Sequence, residues 1–359
     1  MLIFYLIIFT SSFALSLLSA IAIKRIALRL QIVDQPDKER RFHAKSTPLL
    51  GGTAIFFAFF VMLYIFQARI LAGDLKSSHW LGFFLGGVCL MIGGYLDDKH
   101  RLRPGFQLFF PLLAALLALA GGIGIEKITN PLGGFLYLEA FRIPLFSLGG
   151  IMHYFVLVSD LIVFAWLMGM MYTTKLLDGV DGLVSGLSGI GALIIFLFTQ
   201  SERYFQPDIG LAALILAGAC FGFLFLNWHP AKIFLGEGGS LFLGYALGVL
   251  AVISGGKIAI ALLVMAIPIM DLFWTIIRRL REGKNPFRVS DRKHLHFRLQ
   301  AVGLSPRQTV LFYYSLAVFF GLGALFLQSR GKMLALAVLI AIMLGIIIIF
   351  NRNDKKLPL

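Results

Sequence analysis

The sequence predicts an all-α polytopic membrane protein with about 11 transmembrane helices. Three observations predict it. The chain has 359 residues, of which 59% are hydrophobic and only 14% charged, against roughly 25% charged in soluble domains. Apolar runs long enough to cross a bilayer recur along its length. Short polar islands separate those runs, and a single orientation gathers the islands on one side.

The candidate spans are 1–23, 47–66, 80–96, 106–124, 154–174, 183–200, 209–227, 236–254, 257–277, 309–328 and 332–350. Each approaches the roughly 20 apolar residues that a helix needs to cross a bilayer. The first has no basic residues before it, and Lys24, Arg25 and Arg29 follow it. A cleaved leader has the opposite order, so the segment reads as a helix that starts outside. With that orientation, 24 of the 32 Lys and Arg fall in inside segments and 8 outside. The threefold bias predicts an outside N-terminus and a cytoplasmic C-terminus. It also accounts for the net charge of +14 without nucleic acid; attraction to anionic lipid or phosphate is compatible with it.

The outside loop 125–153 is long, with apolar runs at Phe135–Leu138 and Phe141–Phe146. It predicts one short outer β-hairpin. Cys89 and Cys220 lie in apolar stretches without a CxxC and read as packed thiols. No soluble domain, repeat or low-complexity tract is evident, so 1–359 reads as one integral-membrane domain. Its chemistry would lie on loops 24–46, 97–105, 175–182, 228–240 and 278–308.

The polar islands are the expensive part of such a chain. The first runs through Lys45 and Thr47 to Gly51-Gly52. Topology alone explains its cations, but the glycine pair opening a helix would also suit a phosphate. The second closes a helix with Asp97-Asp98. Adjacent carboxylates repel each other and the helix C-terminus, a cost that a divalent cation or a positive partner offsets. The third is Lys175-Leu-Leu-Asp178-Gly-Val-Asp181-Gly. Asp178 and Asp181 share a face if helical, and the glycines let backbone approach a ligand. That spacing suits Mg²⁺, with Mn²⁺ as a substitute, sharing substrate phosphates. In the fourth, Glu237 lies between glycines at the opening of a helix, as a cap or as a metal or nucleotide contact. The fifth holds Asp271 inside an apolar span, then Arg278-Arg279, then Asp291-Arg292-Lys293-His294-Leu295-His296. The two histidines lack the i, i+4 spacing of a zinc pair. They read as hydrogen-bond donors to phosphate beside bidentate arginines.

These stretches together resemble the polyprenyl-phosphate N-acetylhexosamine-1-phosphate transferases, the glycosyltransferase family 4 enzymes. The matching motifs are Asp97-Asp98, Asp178-Gly-Val-Asp181-Gly, Phe234-Leu-Gly-Glu237-Gly-Gly-Ser240, Pro268-Ile-Met-Asp271 and the segment from Asp291 to His296. They occur in order across roughly residues 20–310. The span number and the His294-Leu-His296 segment lean toward the undecaprenyl-phosphate GlcNAc-1-phosphate transferases. The resemblance implies transfer of N-acetylhexosamine-1-phosphate from a UDP-sugar to a polyprenyl phosphate, with Mg²⁺ bridging the diphosphate. UMP would leave, and a lipid-linked cell-envelope glycan would begin.

It implies a prokaryotic plasma membrane, a lipid-embedded acceptor and a homodimer among the partners. It implies catalytic Asp97 and Asp98, with Asp97 favoured as the group acting on the acceptor phosphate. Asp178, Asp181 and Glu237 would hold metal. Lys45, Thr47, Lys175, Asp271, Arg278, Arg279, Arg292, His294 and His296 would bind substrate. Direct attack by the lipid phosphate is expected, without a covalent enzyme intermediate.

Three positions depart from the family pattern. Lys175 stands where Asn is common, Glu237 where Asp is common, and Phe297 replaces a histidine. Two alternatives stay beside the main reading: a phospho-N-acetylmuramoyl-pentapeptide transferase-like activity, and an inactive paralogue that binds lipid-linked sugar. CDP-alcohol phosphatidyltransferases share Asp-Gly pairs, but their continuation is missing after Asp181.

Overall fold

Apolar runs with few charges become helices because a helix satisfies every backbone polar group within its own segment. The computed structural model describes residues 1–34, 46–71, 76–130, 134–138, 142–148, 151–254, 258–283 and 293–353. In chain order the helices are α1 (Leu2–Arg29), α2 (Gly51–Ile65), α3 (Gln67–Ile70), α4 (Ser77–His100), α5 (Pro104–Ala120), α6 (Leu157–Leu177) and α7 (Leu183–Thr199). They continue with α8 (Pro207–Asn227), α9 (Gly236–Ile253), α10 (Ile258–Arg281), α11 (Leu295–Ala301), α12 (Pro306–Phe326) and α13 (Ser329–Asn353). Strands are short: β1 (Val33–Asp34), β2 (Thr47–Pro48), β3 (Lys127–Thr129), β4 (Phe135–Tyr137), β5 (Arg142–Leu148) and β6 (Ile151–Val156).

Seven helices, α1, α4, α6, α8, α9, α10 and α12, are long and apolar enough to cross a membrane among the described residues. α2, α5 and α7 are apolar but shorter, at 15, 17 and 17 residues. At 1.5 Å per residue they reach about 25 Å or less, somewhat under the hydrocarbon thickness.

The centre of the bundle is α9, with 89% of its apolar window buried, while α1 at 22% lies on the rim. α6 and α4 flank α9; α1 and α7 pack on α8; α12 packs on α7 and α10. Ser12 and Ser16 of α1 donate to the carbonyls of Ile215 and Ala219 on α8, each at 2.7 Å. Small and hydroxyl residues at such contacts are how membrane helices approach closely without a hydrophobic drive between them.

Two hairpins, not one, occupy the loop before α6. β3 pairs with β4 in the register Lys127↔Tyr137, and β5 pairs with β6 with Arg142 opposite Val156. The expected single hairpin used alternation near 135–146 alone. It missed that both runs pair outward, with 127–129 and with 151–156. α6 accordingly starts at Leu157, three residues later than its candidate span.

The opposite end of the bundle carries the polar islands. There the ladder β1–β2 leads into α2, and Gly51 N–H and Gly52 N–H donate to the carbonyls of Phe234 and Leu235 at 2.9 and 2.8 Å. These amides are therefore spent on the strand-like approach to α9. The phosphate expected at this helix N-terminus does not have them.

Candidate active site

The polar end is built by bringing the C-termini of α4 and α6 to the N-terminus of α9. Glycine makes the approach. A Cβ on Gly94 would fall 2.1 Å from the Gly238 nitrogen, so α4 and α9 touch backbone to backbone. Gly236, at φ +74, turns the chain into α9, a conformation that side chains other than glycine's resist.

Asp97 and Asp98 leave the end of α4 in different directions. Asp97 Oδ1 accepts from Leu102 N–H at 2.7 Å and from Gln107 Nε2 at 3.0 Å. It organises the corner into α5. Asp98 Oδ1 accepts from Glu237 N–H at 3.1 Å, a favourable place for a carboxylate because helix N-termini carry partial positive charge. Its Oδ2 is buried and has no hydrogen-bond partner among the described residues. Glu237, in the first turn of α9, forms an ion pair with Lys175 from the last turn of α6. Lys175 Nζ also stands 3.4 Å from Gln107 Oε1.

Asp178 caps α6. The residue keeps exposed surface, yet protein crowds its carboxylate. That desolvation, with the negative fields of Glu237, Asp98 and Asp181, pushes its carboxyl up to about 8. Asp181 is differently employed. Its Oδ2 lies 2.7 Å from His229 Nδ1 and accepts from Ala231 N–H at 3.0 Å. Asn227 stitches the same two loops together. Its Oδ1 accepts from Gly182 N–H and Ser185 Oγ, and its Nδ2 donates to the Ile233 carbonyl. Tyr314 on α12 donates to the Gly182 carbonyl, and Arg307 Nε donates to the His229 carbonyl at 3.0 Å.

A second group of predicted residues forms a neighbouring buried latch. Asp271, 6% exposed, sits on α10. Its Oδ2 is 2.9 Å from His294 Nδ1, and its Oδ1 accepts from Leu295 N–H at 3.1 Å. The intramembrane carboxylate thereby fixes the start of α11. The rings of His294 and His296 are parallel, 5.7 Å apart. His296 is fully buried against Gly179, and neither ring nitrogen has a hydrogen-bond partner among the described residues. Burial first, then His294, pushes its imidazole down to about 3, so it is neutral. The structure thus joins His294 and His296 to the scaffold of the Asp178–Gly182 turn, a use that sequence spacing does not reveal. Arg278 and Arg279 are buried on the last turns of α10, and Thr47 is buried in β2. Lys45, Asp291 and Arg292 lie outside the described residues.

Gln107, His229, Arg307 and Tyr314 were not singled out from sequence. Only His229 carries a signal there, as a histidine in the loop 228–240.

A model of the family described as Glycosyl transferase family 4 matches residues 80–255. That segment contains Asp97, Asp98, Lys175, Asp178, Asp181 and Glu237. Over 338 residues the chain is 31% identical to the probable undecaprenyl-phosphate N-acetylglucosaminyl 1-phosphate transferase of Bacillus subtilis (strain 168), covering 91% of this chain and 87% of that protein. It is 28% identical to the decaprenyl-phosphate N-acetylglucosaminephosphotransferase of Mycobacterium leprae (strain TN), covering 92% and 86%. It is 31% identical, over a shorter 77% of this chain and 79% of the relative, to the phospho-N-acetylmuramoyl-pentapeptide-transferase of Thermodesulfovibrio yellowstonii (strain ATCC 51303 / DSM 11347 / YP87). With its acidic helix ends inside the matched segment and a 31% identical relative along nearly its whole length, the chain belongs to glycosyl transferase family 4.

Proposed function

We propose that this protein transfers N-acetylglucosamine-1-phosphate from UDP-N-acetylglucosamine to a polyprenyl phosphate and releases UMP. The observation that carries the reading is the meeting of Asp98, Asp178, Glu237 and Lys175 where α4 and α6 end and α9 begins. Such an acidic, cation-seeking cluster at one end of a membrane bundle suits a diphosphate donor from water and a lipid phosphate from the bilayer.

The donor set fits Mg²⁺ in a limited way. Among the described residues no three His, Cys, Asp or Glu side chains converge on one point, and Asp181 is taken up by His229 and Ala231. The unpartnered Asp98 Oδ2 and the crowded Asp178 carboxylate remain. Mg²⁺ commonly binds through one or two carboxylates plus substrate phosphates, and Asp178, with Glu237 beside it, would hold it that way and leave Asp98 Oδ2 free. The ion would neutralise charge on the diphosphate as its bond breaks.

This chain's residues do the rest. Asp98 and Asp97 orient the groups around the acceptor phosphate, and Asp98, with a free oxygen, is the better placed to accept its proton. Lys175 supplies positive charge to the donor phosphates. The Asp271–His294 latch holds the Asp178–Gly182 turn against α11. Exclusion of bulk water by the packed helix ends strengthens each of these electrostatic contacts. The lipid phosphate attacks directly.

We place the polar end in the cytoplasm and the two hairpins outside, in a prokaryotic plasma membrane, with eleven spans when the short helices and α13 are included. Lys and Arg bias supports that orientation.

The test is UMP release by purified protein in detergent with undecaprenyl phosphate and Mg²⁺, offering UDP-GlcNAc, UDP-GalNAc and UDP-MurNAc-pentapeptide one at a time. The expected outcome is release with UDP-GlcNAc, abolished by EDTA and reduced at least about 100-fold in Asp98→Asn. Release with the pentapeptide donor alone would replace the sugar assignment. No release with any donor from folded protein would leave a binding protein instead of an enzyme.

A further inference from the structure

The ion pair between Lys175 and Glu237 lies beside Asp98 and Asp178 where α6 ends and α9 begins. Lys175 Nζ bonds Glu237 directly. Gln107 links it to Asp97, since Gln107 Oε1 is 3.4 Å from the ammonium and Gln107 Nε2 donates to Asp97 at 3.0 Å. Glu237 in turn holds Asp98 through its main-chain N–H. The Lys175 and Glu237 side chains are only 21% and 19% exposed, so water screens them incompletely and the field at Glu237 is strong. Among the described residues no three-ligand metal cluster forms, and Glu237, whose charge acts on Asp178, is engaged by the ammonium.

We infer that Lys175 is a built-in counter-cation that competes with the divalent ion for Glu237 and thereby sets the affinity of the site for metal. A divalent ion approaching Glu237 meets a resident positive charge and must displace it. The freed ammonium needs a new anionic partner, and the diphosphate of the donor supplies one within reach of the end of α6. Metal and diphosphate therefore bind together, each weakly without the other. This reading rests on the magnesium-dependent transfer proposed above.

The test is Mn²⁺ binding to the purified full chain, followed by the electron paramagnetic resonance of the free ion, with and without UDP as the diphosphate probe. Wild type should bind Mn²⁺ weakly alone and more tightly with UDP. Lys175→Met should bind Mn²⁺ about tenfold more tightly without UDP and gain less from adding it. Lys175→Arg, which keeps the charge, should behave as wild type. Glu237→Gln should weaken binding in either background. Unfolding temperatures in metal-free buffer identify any variant that fails to fold. Unchanged or weaker Mn²⁺ binding in folded Lys175→Met overturns the inference while leaving the transfer reaction standing. If wild type and Lys175→Met both bind no Mn²⁺ even with UDP, the metal reading itself fails and takes the inference with it.

Discussion

Asp178 and Asp271 show how one residue type does two jobs at the same end of the molecule. Asp178 faces other carboxylates, and its carboxyl is raised to about 8. The folded chain then keeps a proton that the unfolded chain loses near its ordinary value of about 3.9. Stability from this group is therefore present at low pH and declines as pH rises toward about 8. In metal-free buffer this contribution to the unfolding temperature should fall from about pH 4 to about pH 8 and level off above it, Mg²⁺ should restore it most at the alkaline end, and Asp178→Asn should flatten the profile. His296 runs the other way. Its imidazole is depressed to about 3, so the unfolded chain takes up protons first, and stability is lost as pH falls below about 6.5. Asp271, by contrast, is a buried anchor for His294 and Leu295. Asp271→Ala strands both partners and should cost about 3 kcal/mol, read as a lower unfolding temperature with weakened donor binding. A normal unfolding temperature in that variant would remove the latch from the account.

At the scale of elements, the site depends on how closely α4 and α9 approach. Gly94 and Gly238 let the backbones touch, and that contact carries Asp98 to the Glu237 amide. Gly94→Ala forces the helices apart, with an overpacking cost of about 1–3 kcal/mol. The folded fraction should also lose transfer activity, by more than about tenfold, because a shift of about 1 Å at reacting groups is costly. Gly82 provides the control. Its Cβ would fall 2.6 Å from the Leu117 carbonyl on α5, near the hairpin end of α4. Gly82→Ala should lower stability similarly but spare the turnover of the protein that remains folded. Equal loss of turnover in both variants would mean that general loosening, not local placement, explains the effect. Helix existence is legible at this scale: each apolar run contains a helix, although 47–66 begins in β2, 154–174 begins in β6 and 106–124 overruns the end of α5. The two hairpins were only half legible, because strand pairing depends on partners far along the chain.

The whole molecule separates its two ends by chemistry. One carries Asp98, Asp178, Glu237 and Lys175 with the buried Arg278, Arg279, His294 and His296, and the other the two hairpins. In the orientation proposed from the Lys and Arg bias, the first end would lie inside. Cysteine labelling checks this directly, since Cys89 and Cys220 are buried and both Lys99 and Lys127 are exposed. In intact cells a membrane-impermeant maleimide should modify Lys127→Cys and leave Lys99→Cys unmodified until the membrane is opened. The reverse pattern would turn the molecule over and place the donor site outside.

The sequence by itself determined the membrane class, the helical runs and the residue types available for chemistry. Those follow from local composition, because burying an apolar run in lipid and satisfying its backbone are decided within that run. It also carried the five motifs that mark the family. Only the tertiary structure decided which of those residues share a site. It set Asp98 on the α9 amide and Lys175 on Glu237, turned Asp181 to His229, and spent the Gly51 and Gly52 amides on backbone carbonyls. Each of these contacts joins segments tens of residues apart or more. Its geometry depends on how helices pack, which spacing along the chain does not encode.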